Sequence, residues 1–171
     1  MMNMLKVILV NLIFFGMTET QLESSKEYEL INYLVCEKDD SVFIDERFIS
    51  WNEVGYHSYN EINVINMKLD REFYEDHKQQ IDQIINPTIQ QKVEPDFIKC
   101  KVNLNRTISF SPKKTIYSYS YPMLMRGEDQ KLYGVIIERR TFEIDNYSKI
   151  KVFKKLKDSW ELVYENLISF S

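Results

Sequence analysis

The stretch that decides the fold is Leu132 to Phe142, LYGVIIERRTF, a run of strand-forming residues. Val, Ile, Tyr and Phe favour strands because branched and aromatic side chains pack well on a pleated surface. Other strand-like runs lie on both sides of it, over residues 116–125, 149–156 and 160–164. Short polar turns separate these runs, one of them at Glu128-Asp129. Consecutive short strands joined by short turns predict an antiparallel meander in the second half of the chain.

Two features refine the start of this sheet. Ile98, Cys100, Val102 and Leu104 alternate with polar residues, which predicts a half-buried strand with Cys100 pointing inward. Proline has no N–H to donate to a neighbouring strand, so Pro122 fits poorly in a central strand. The strand over residues 116–125 is therefore predicted either to lie at an edge or to break at this proline.

The first half of the chain has helical spacing instead. Tyr28, Ile31, Leu34 and Val35 predict one helix, preceded by a Ser-x-x-Glu capping box that starts at Ser24. A second helix is predicted after Asp70, with an apolar stripe at residues 73, 77, 81, 84 and 85, and it ends at Asn86-Pro87. A short strand is predicted over residues 42–44. The expected fold class is α+β, a helical N-terminal half followed by a curved antiparallel β-meander of four or five strands.

The N-terminal segment indicates export. Lys6 precedes an apolar run from Val7 to Met17, which is the layout of a secretory signal peptide. The run is too short to cross a bilayer as a helix, which takes about 20 apolar residues. We therefore expect residues 1–18 to be a signal peptide and residues 19–171 to form a single α+β domain in the periplasm or outside the cell. A buried N-terminal element of a cytosolic domain is the alternative.

The two cysteines, Cys36 and Cys100, can form a disulfide in an exported protein. Neither has the spacing of a zinc or redox motif. Two buried, apolar, unbonded cysteines are the alternative, because sequence alone does not show whether the two Cα atoms come within bonding range.

Four segments carry a resemblance to a known group: residues 119–123, 133–136, 151–155 and 160–163. In this order they resemble the ending of a group of small exported proteins of Bacteroidetes type that have no assigned activity. The resemblance covers residues 116–171, and it implies the compartment and the sheet but no activity. A similar ending occurs in nuclear-transport-factor-like cone folds, which are the alternative fold.

Charge divides unevenly along the chain. Residues 18–97 carry 7 Lys and Arg against 18 Asp and Glu, whereas residues 98–171 carry 14 against 8. Either the two halves cover each other, or one basic sheet face attracts an anionic partner such as a polysaccharide, a phosphate group or an acidic protein. Such a face would contain Lys99, Lys101, Arg139, Lys149 and Lys151. A nucleic acid partner is not expected, because the net charge is −4 and no nucleic-acid-binding motif occurs.

A row of tyrosines adds to this candidate surface. Tyr117, Tyr119 and Tyr121 share one strand face, because alternate residues point the same way. They either stack on sugars or anchor a protein interface, or they form the core side of the sheet. The predicted binding residues are Tyr117, Tyr119, Tyr121, Arg139, Lys149 and Lys151.

Catalytic motifs are missing from the sequence. No zinc motif, nucleophile elbow, phosphate loop or dinucleotide fingerprint occurs, so no cofactor and no metal site are predicted. His77 lies on the apolar stripe of a helix, and His57 lies in a polar loop near Glu53 and Glu61. We expect an exported non-catalytic protein, not an enzyme, that binds an anionic glycan or another protein through its basic sheet. A small extracytoplasmic hydrolase that uses His57 is the alternative.

Overall fold

The computed structural model describes residues 26–38, 43–57, 71–87, 91–105, 114–142 and 145–170. The predicted signal peptide, Ser24 and Asp70 lie outside these ranges. Within them, helix α1 covers residues 26–36 and helix α2 covers Arg71–Ile85. The strands are β1 Phe43–Asp45, β2 Asn103–Asn105, β3 Ile116–Tyr119, β4 Met123–Arg126, β5 Leu132–Phe142, β6 Asp145–Lys155 and β7 Trp160–Phe170. Short 3-10 helices cover Trp51–Val54 and Pro95–Phe97.

All seven strands belong to one mixed sheet. Its order is β2-β1-β3-β5-β6-β7, and β4 also pairs with β5. Strand β1 runs parallel to both β2 and β3, whereas the remaining pairs are antiparallel. Strands β5, β6 and β7 each have 11 residues and follow one another as consecutive hairpins.

The predicted fold class is therefore wrong. The first half of the chain supplies β1, which lies between β2 and β3 in the sheet, and the sheet is mixed rather than a meander of four or five strands. The short strand predicted over residues 42–44 is present as β1, but three residues are too few to indicate which strands they pair with. The strand is held in place by long-range contacts instead: Ile44 is buried, and the Phe43 N–H donates to the Thr115 carbonyl at 2.9 Å.

The central strand β5 is buried on both faces. On one face, which we call the α2 face, Val135 and Ile137 pack with Ile81 and Ile85 of α2. On the other, the α1 face, Ile136 packs in one cluster with residues of α1. Side chains alternate between the two faces of a strand, so a strand covered on both sides needs consecutive apolar residues. This explains the unbroken apolar run at residues 135–137.

Of the two alternatives predicted for Pro122, an edge position or a break, the structure has the break, because β3 ends at Tyr119 and β4 begins at Met123. Strand β3 pairs with the C-terminal half of β5, where Tyr119 lies opposite Glu138. Strand β4 pairs with its N-terminal half, where Met123 lies opposite Val135. Between them, the buried Ser120 hydroxyl accepts a hydrogen bond from the Ile137 N–H at 2.9 Å. A side-chain oxygen thus satisfies a backbone donor close to the proline.

The strand predicted over residues 98–105 forms only at Asn103–Asn105. Asn32 of α1 accounts for part of the difference. Its side chain donates to the Phe97 carbonyl at 2.9 Å and accepts from the Lys99 N–H at 2.7 Å. These bonds tie the backbone to α1 instead of to a neighbouring strand. The alternation of burial persists, because Ile98, Cys100, Val102 and Leu104 all pack against the α1-face core.

The predicted cysteine pair is bonded. Cys36, at the end of α1, and Cys100 form a disulfide with a Cα–Cα distance of 5.7 Å. Cys100 is half-buried and Cys36 is exposed. Disulfides persist in oxidising compartments, so this bond is compatible with an exported protein.

Removing the disulfide is predicted to lower the free energy of unfolding by about 2–4 kcal/mol, because the cross-link restricts the unfolded chain over a separation of 64 residues. The variant is Cys36→Ser/Cys100→Ser, and the measurement is a urea titration followed by tryptophan fluorescence. Wild-type protein treated with dithiothreitol should match the variant. Equal stability of oxidised and reduced wild-type protein would contradict the prediction.

Gly134 is predicted to be required for the packing of α1 on the sheet. A Cβ atom added to it would overlap Leu30 Cδ2 and would lie 3.4 Å from Trp160. Gly134→Ala should therefore destabilise the protein by about 1–3 kcal/mol through overpacking. In a Leu30→Ala background, where the space is open, the same substitution should cost less. Equal costs in the two backgrounds would show that contact with Leu30 is not the cause.

Candidate functional site

The structure brings four of the six predicted binding residues to one place. Tyr117, Tyr119, Lys149 and Lys151 lie on the α1 face of the sheet. Cross-strand register places Tyr119, Glu138 and Lys149 side by side, because paired residues of neighbouring strands project from the same face. This part of the face adjoins the C-terminal end of α1, where Lys38 follows the helix.

The other two predicted residues lie elsewhere. Arg139 follows Glu138 and so projects from the opposite face, where its Nε donates to the Ser148 hydroxyl at 3.2 Å. Tyr121 lies in the break between β3 and β4 and packs edge-to-face on Phe48, with ring centroids 5.3 Å apart. Burial raises the pKa of Tyr121. Arg139 is therefore separated from the cluster on the α1 face, whereas Tyr121 packs against the cores on both faces of the sheet.

Glu138 is the centre of this arrangement. Its side chain is only 3% exposed. Lys151 Nζ lies 2.6 Å from one carboxylate oxygen, and Lys38 Nζ lies 3.5 Å from the other. A buried charge is tolerated when it is paired and hydrogen-bonded. Sequence reasoning missed Glu138, although one signal was present: it is an acidic residue directly after the apolar run 135–137.

A second carboxylate extends the ion pairs to β7. Glu165 lies 2.8 Å from Lys149 Nζ and 3.6 Å from Lys151 Nζ. Because Lys149 donates a hydrogen bond to it, the pKa of Glu165 lies below its usual value, and the same bond raises the pKa of Lys149. Lys149 and Lys151 are therefore each neutralised by carboxylates within the sheet. We call Lys38, Glu138, Lys149, Lys151 and Glu165 the Glu138 cluster.

The two tyrosines of β3 differ in exposure. Tyr119 is buried, and this burial raises the pKa of its hydroxyl well above the usual value. Tyr117 is half-buried, its ring is stacked at 6.4 Å from that of Tyr119, and Lys38 Nζ lies 4.1 Å from its centroid. Tyr119 thus belongs to the core, and Tyr117 lies at the rim of that core beside the Glu138 cluster.

Exposed apolar side chains lie next to this cluster. In the part of the chain that the structure describes, the exposed large apolar residues are Phe97, Leu156, Leu162, Val163 and Leu167, three of them on β7. Leu167 is 52% exposed and lies opposite Lys149, and Leu162 is 45% exposed and lies opposite Phe153. We call the stripe of Leu162, Glu165 and Leu167, together with Lys149 and Lys151 beside it, the β6–β7 surface.

Neither histidine belongs to this surface. His57 is exposed after the 3-10 helix Trp51–Val54, and its carbonyl accepts from Asn86 at 3.2 Å. Of the two acids predicted near it, Glu53 accepts from the Ser50 hydroxyl at 3.0 Å, and Glu61 lies outside the described residues. The hydrolase alternative stays a prediction.

The half-buried His77 lines a different feature. Together with the buried Glu27 and with Arg126, it borders a cleft of about 240 Å³ that is lined by residues of α1, α2 and β4. Across the described ranges, no three His, Cys, Asp or Glu side chains converge in a way that could hold a metal ion.

The chain matches no family model, no curated protein and no solved structure. The nuclear-transport-factor-like cone fold therefore has no structural neighbour in its support. Neither of the described helices is long and apolar enough to span a bilayer.

Lys151 is predicted to contribute more to stability than Lys149. Lys151→Met leaves the buried Glu138 carboxylate without its closest cation and should cost about 3 kcal/mol. Lys149→Met removes an ion pair whose two side chains are 29% and 37% exposed, and it should cost less than about 1 kcal/mol. Urea titrations of both variants at neutral pH test this order. Equal losses would contradict the assignment of Glu138 as the centre of the cluster.

Proposed function

We propose that this protein is an exported, non-catalytic binding protein that engages another protein through the β6–β7 surface. The observation that carries the proposal is the pairing of exposed leucines with a neutralised charge cluster. Leu162 and Leu167 lie on either side of Glu165 along β7, and the lysines beside them are held by carboxylates. Apolar contacts surrounded by satisfied polar groups are typical of protein interfaces.

The same geometry favours a protein over an anionic glycan. An anionic polymer needs cations that are available to it, whereas Lys151 is 13% exposed and is paired with both Glu138 and Glu165. Withdrawing such a lysine from its carboxylates would leave Glu138 buried and unpaired, which is costly. Leucines, in contrast, gain about 25 cal/mol for each Å² of apolar surface that a partner covers.

Export is part of the proposal and has two supports. The leader-like segment at residues 1–17 has the layout of a signal peptide. The disulfide between Cys36 and Cys100 is compatible with an oxidising compartment.

The test compares wild-type protein with Leu167→Lys. The matched control is Leu156→Lys, because Leu156 is exposed to a similar extent but lies in the turn before β7. Partners captured from the culture medium and envelope fraction of the source organism are identified, purified and titrated against each variant. Placing a charge at position 167 should weaken binding at least tenfold, and the control should bind like the wild type.

Two results would overturn the proposal. Equal affinities of the wild type and Leu167→Lys would remove the β6–β7 surface as the binding site. Salt-sensitive binding to heparin that Lys149→Met abolishes would assign the surface to an anionic glycan instead of a protein.

A further inference from the structure

Strand β7 forms an outer edge of the sheet. In the described part of the chain it pairs with β6 alone, and it is 11 residues long. A strand at an edge presents unpaired backbone N–H and C=O groups that another strand can use. The strand at the opposite end of the sheet order, β2, has only three residues and offers far less backbone.

Strand β7 contains two glutamates, but it lacks lysine and proline, the residues that most commonly protect an edge. It also lacks arginine. Two register shifts interrupt its pairing with β6, at Ser148/Lys149 and at Val152/Phe153. Between them, Tyr164–Leu167 pair regularly with β6. Because bulges protect an edge, this regular stretch, which follows Leu162 and Val163, is the part of the edge best suited to accept another strand.

Charge indicates what kind of strand would fit. The charged residues of β7 are Glu161 and Glu165, and both are exposed. Glu165 is already paired with Lys149 and Lys151, so Glu161 is the carboxylate of β7 that a partner strand would meet. A second copy of β7 would bring only further carboxylates and no cation to this edge. Like charges opposite each other destabilise a sheet, whereas opposite charges stabilise it. An extended segment with lysine or arginine is therefore complementary, and apolar residues in it would cover Leu162, Val163 and Leu167.

We propose that β7 is a docking edge to which an extended segment of another protein, with alternating basic and apolar residues, adds as a further strand. Main-chain hydrogen bonds would supply affinity, and contacts with Glu161 and with the exposed leucines would supply specificity. This inference rests on the proposed function and specifies how the partner is bound.

The probe is a nine-residue peptide of alternating lysine and valine, acetylated and amidated at its ends. One control peptide carries N-methyl groups on alternate amides, which removes backbone donors but keeps the charge. A second control has glutamate in place of lysine. Binding to the oxidised full-length protein is measured by fluorescence polarisation, and protection of β7 amides is measured by hydrogen exchange. The probe should bind and slow exchange in β7, and each control peptide should bind at least tenfold more weakly.

A protein variant tests the charge contribution. Glu161→Lys should weaken binding of the lysine–valine peptide about fivefold, because an opposite-charge pair becomes a like-charge pair. Asp158→Lys is the matched control, since it makes the same charge change in the turn outside β7. It should leave binding nearly unchanged.

Several outcomes would overturn the proposal. Equal binding of the N-methylated peptide would show attraction to surface charge without strand pairing. Protection of β7 that grows with protein concentration in the absence of peptide would assign the edge to a second copy of the chain. No binding of the probe, while a captured partner still loses affinity on Leu167→Lys, would reject strand addition and leave the proposed function standing.

Discussion

Burial of β5 between two helices is the constraint on which the rest of the structure depends. Val135, Ile136 and Ile137 are all fully buried, the first and third on the α2 face and the second on the α1 face. Each such side chain contributes about 1.5–3 kcal/mol through removal from water. Because both faces must be covered, α1 and α2 lie on opposite sides of the sheet, and the strands beside β5 carry apolar side chains toward each helix.

The Glu138 cluster is a consequence of this arrangement. Glu138 follows the buried residues of β5 on the face that α1 covers. It lies near the C-terminal end of α1, where Lys38 forms an ion pair with it. Its carboxylate is paired because an isolated charge at that depth would be strongly destabilising. The lysines recruited to it are thereby withdrawn from solvent. The sequence suggests a basic sheet face, but the positive charges of Lys149 and Lys151 on β6 are balanced by carboxylates. On the neighbouring strand β7, the distinctive feature is its exposed leucines.

The local sequence pattern predicted those helices, strands and breaks that depend only on the residues within them. The apolar spacing of α1 and α2, the hairpins from Leu132 onward and the break at Pro122 all follow from side-chain period or from a missing N–H. Arrangements that depend on distant partners were missed: a short strand was predicted at residues 42–44, close to the observed β1, but its place between β2 and β3 was not. Strand β1 is defined by parallel neighbours far along the chain, and Asn32 redirects the backbone at Phe97 and Lys99 through hydrogen bonds across 65 and 67 residues. The binding residues divide in the same way: Arg139 and Lys149 look alike in sequence, yet register places them on opposite faces.

The sequence by itself determined the strand-forming second half, the two amphipathic helices, the uneven charge and the presence of two cysteines, because each is a property of residue type and spacing. Only the tertiary structure decided that the cysteines meet, that β1 completes a mixed sheet and that Lys149 and Lys151 are neutralised by Glu138 and Glu165. It also decided that Leu162 and Leu167 stay exposed on an edge strand. The physical reason is that pairing, burial and ion pairs join residues far apart in the chain, and composition and local period carry no information about which of them come together.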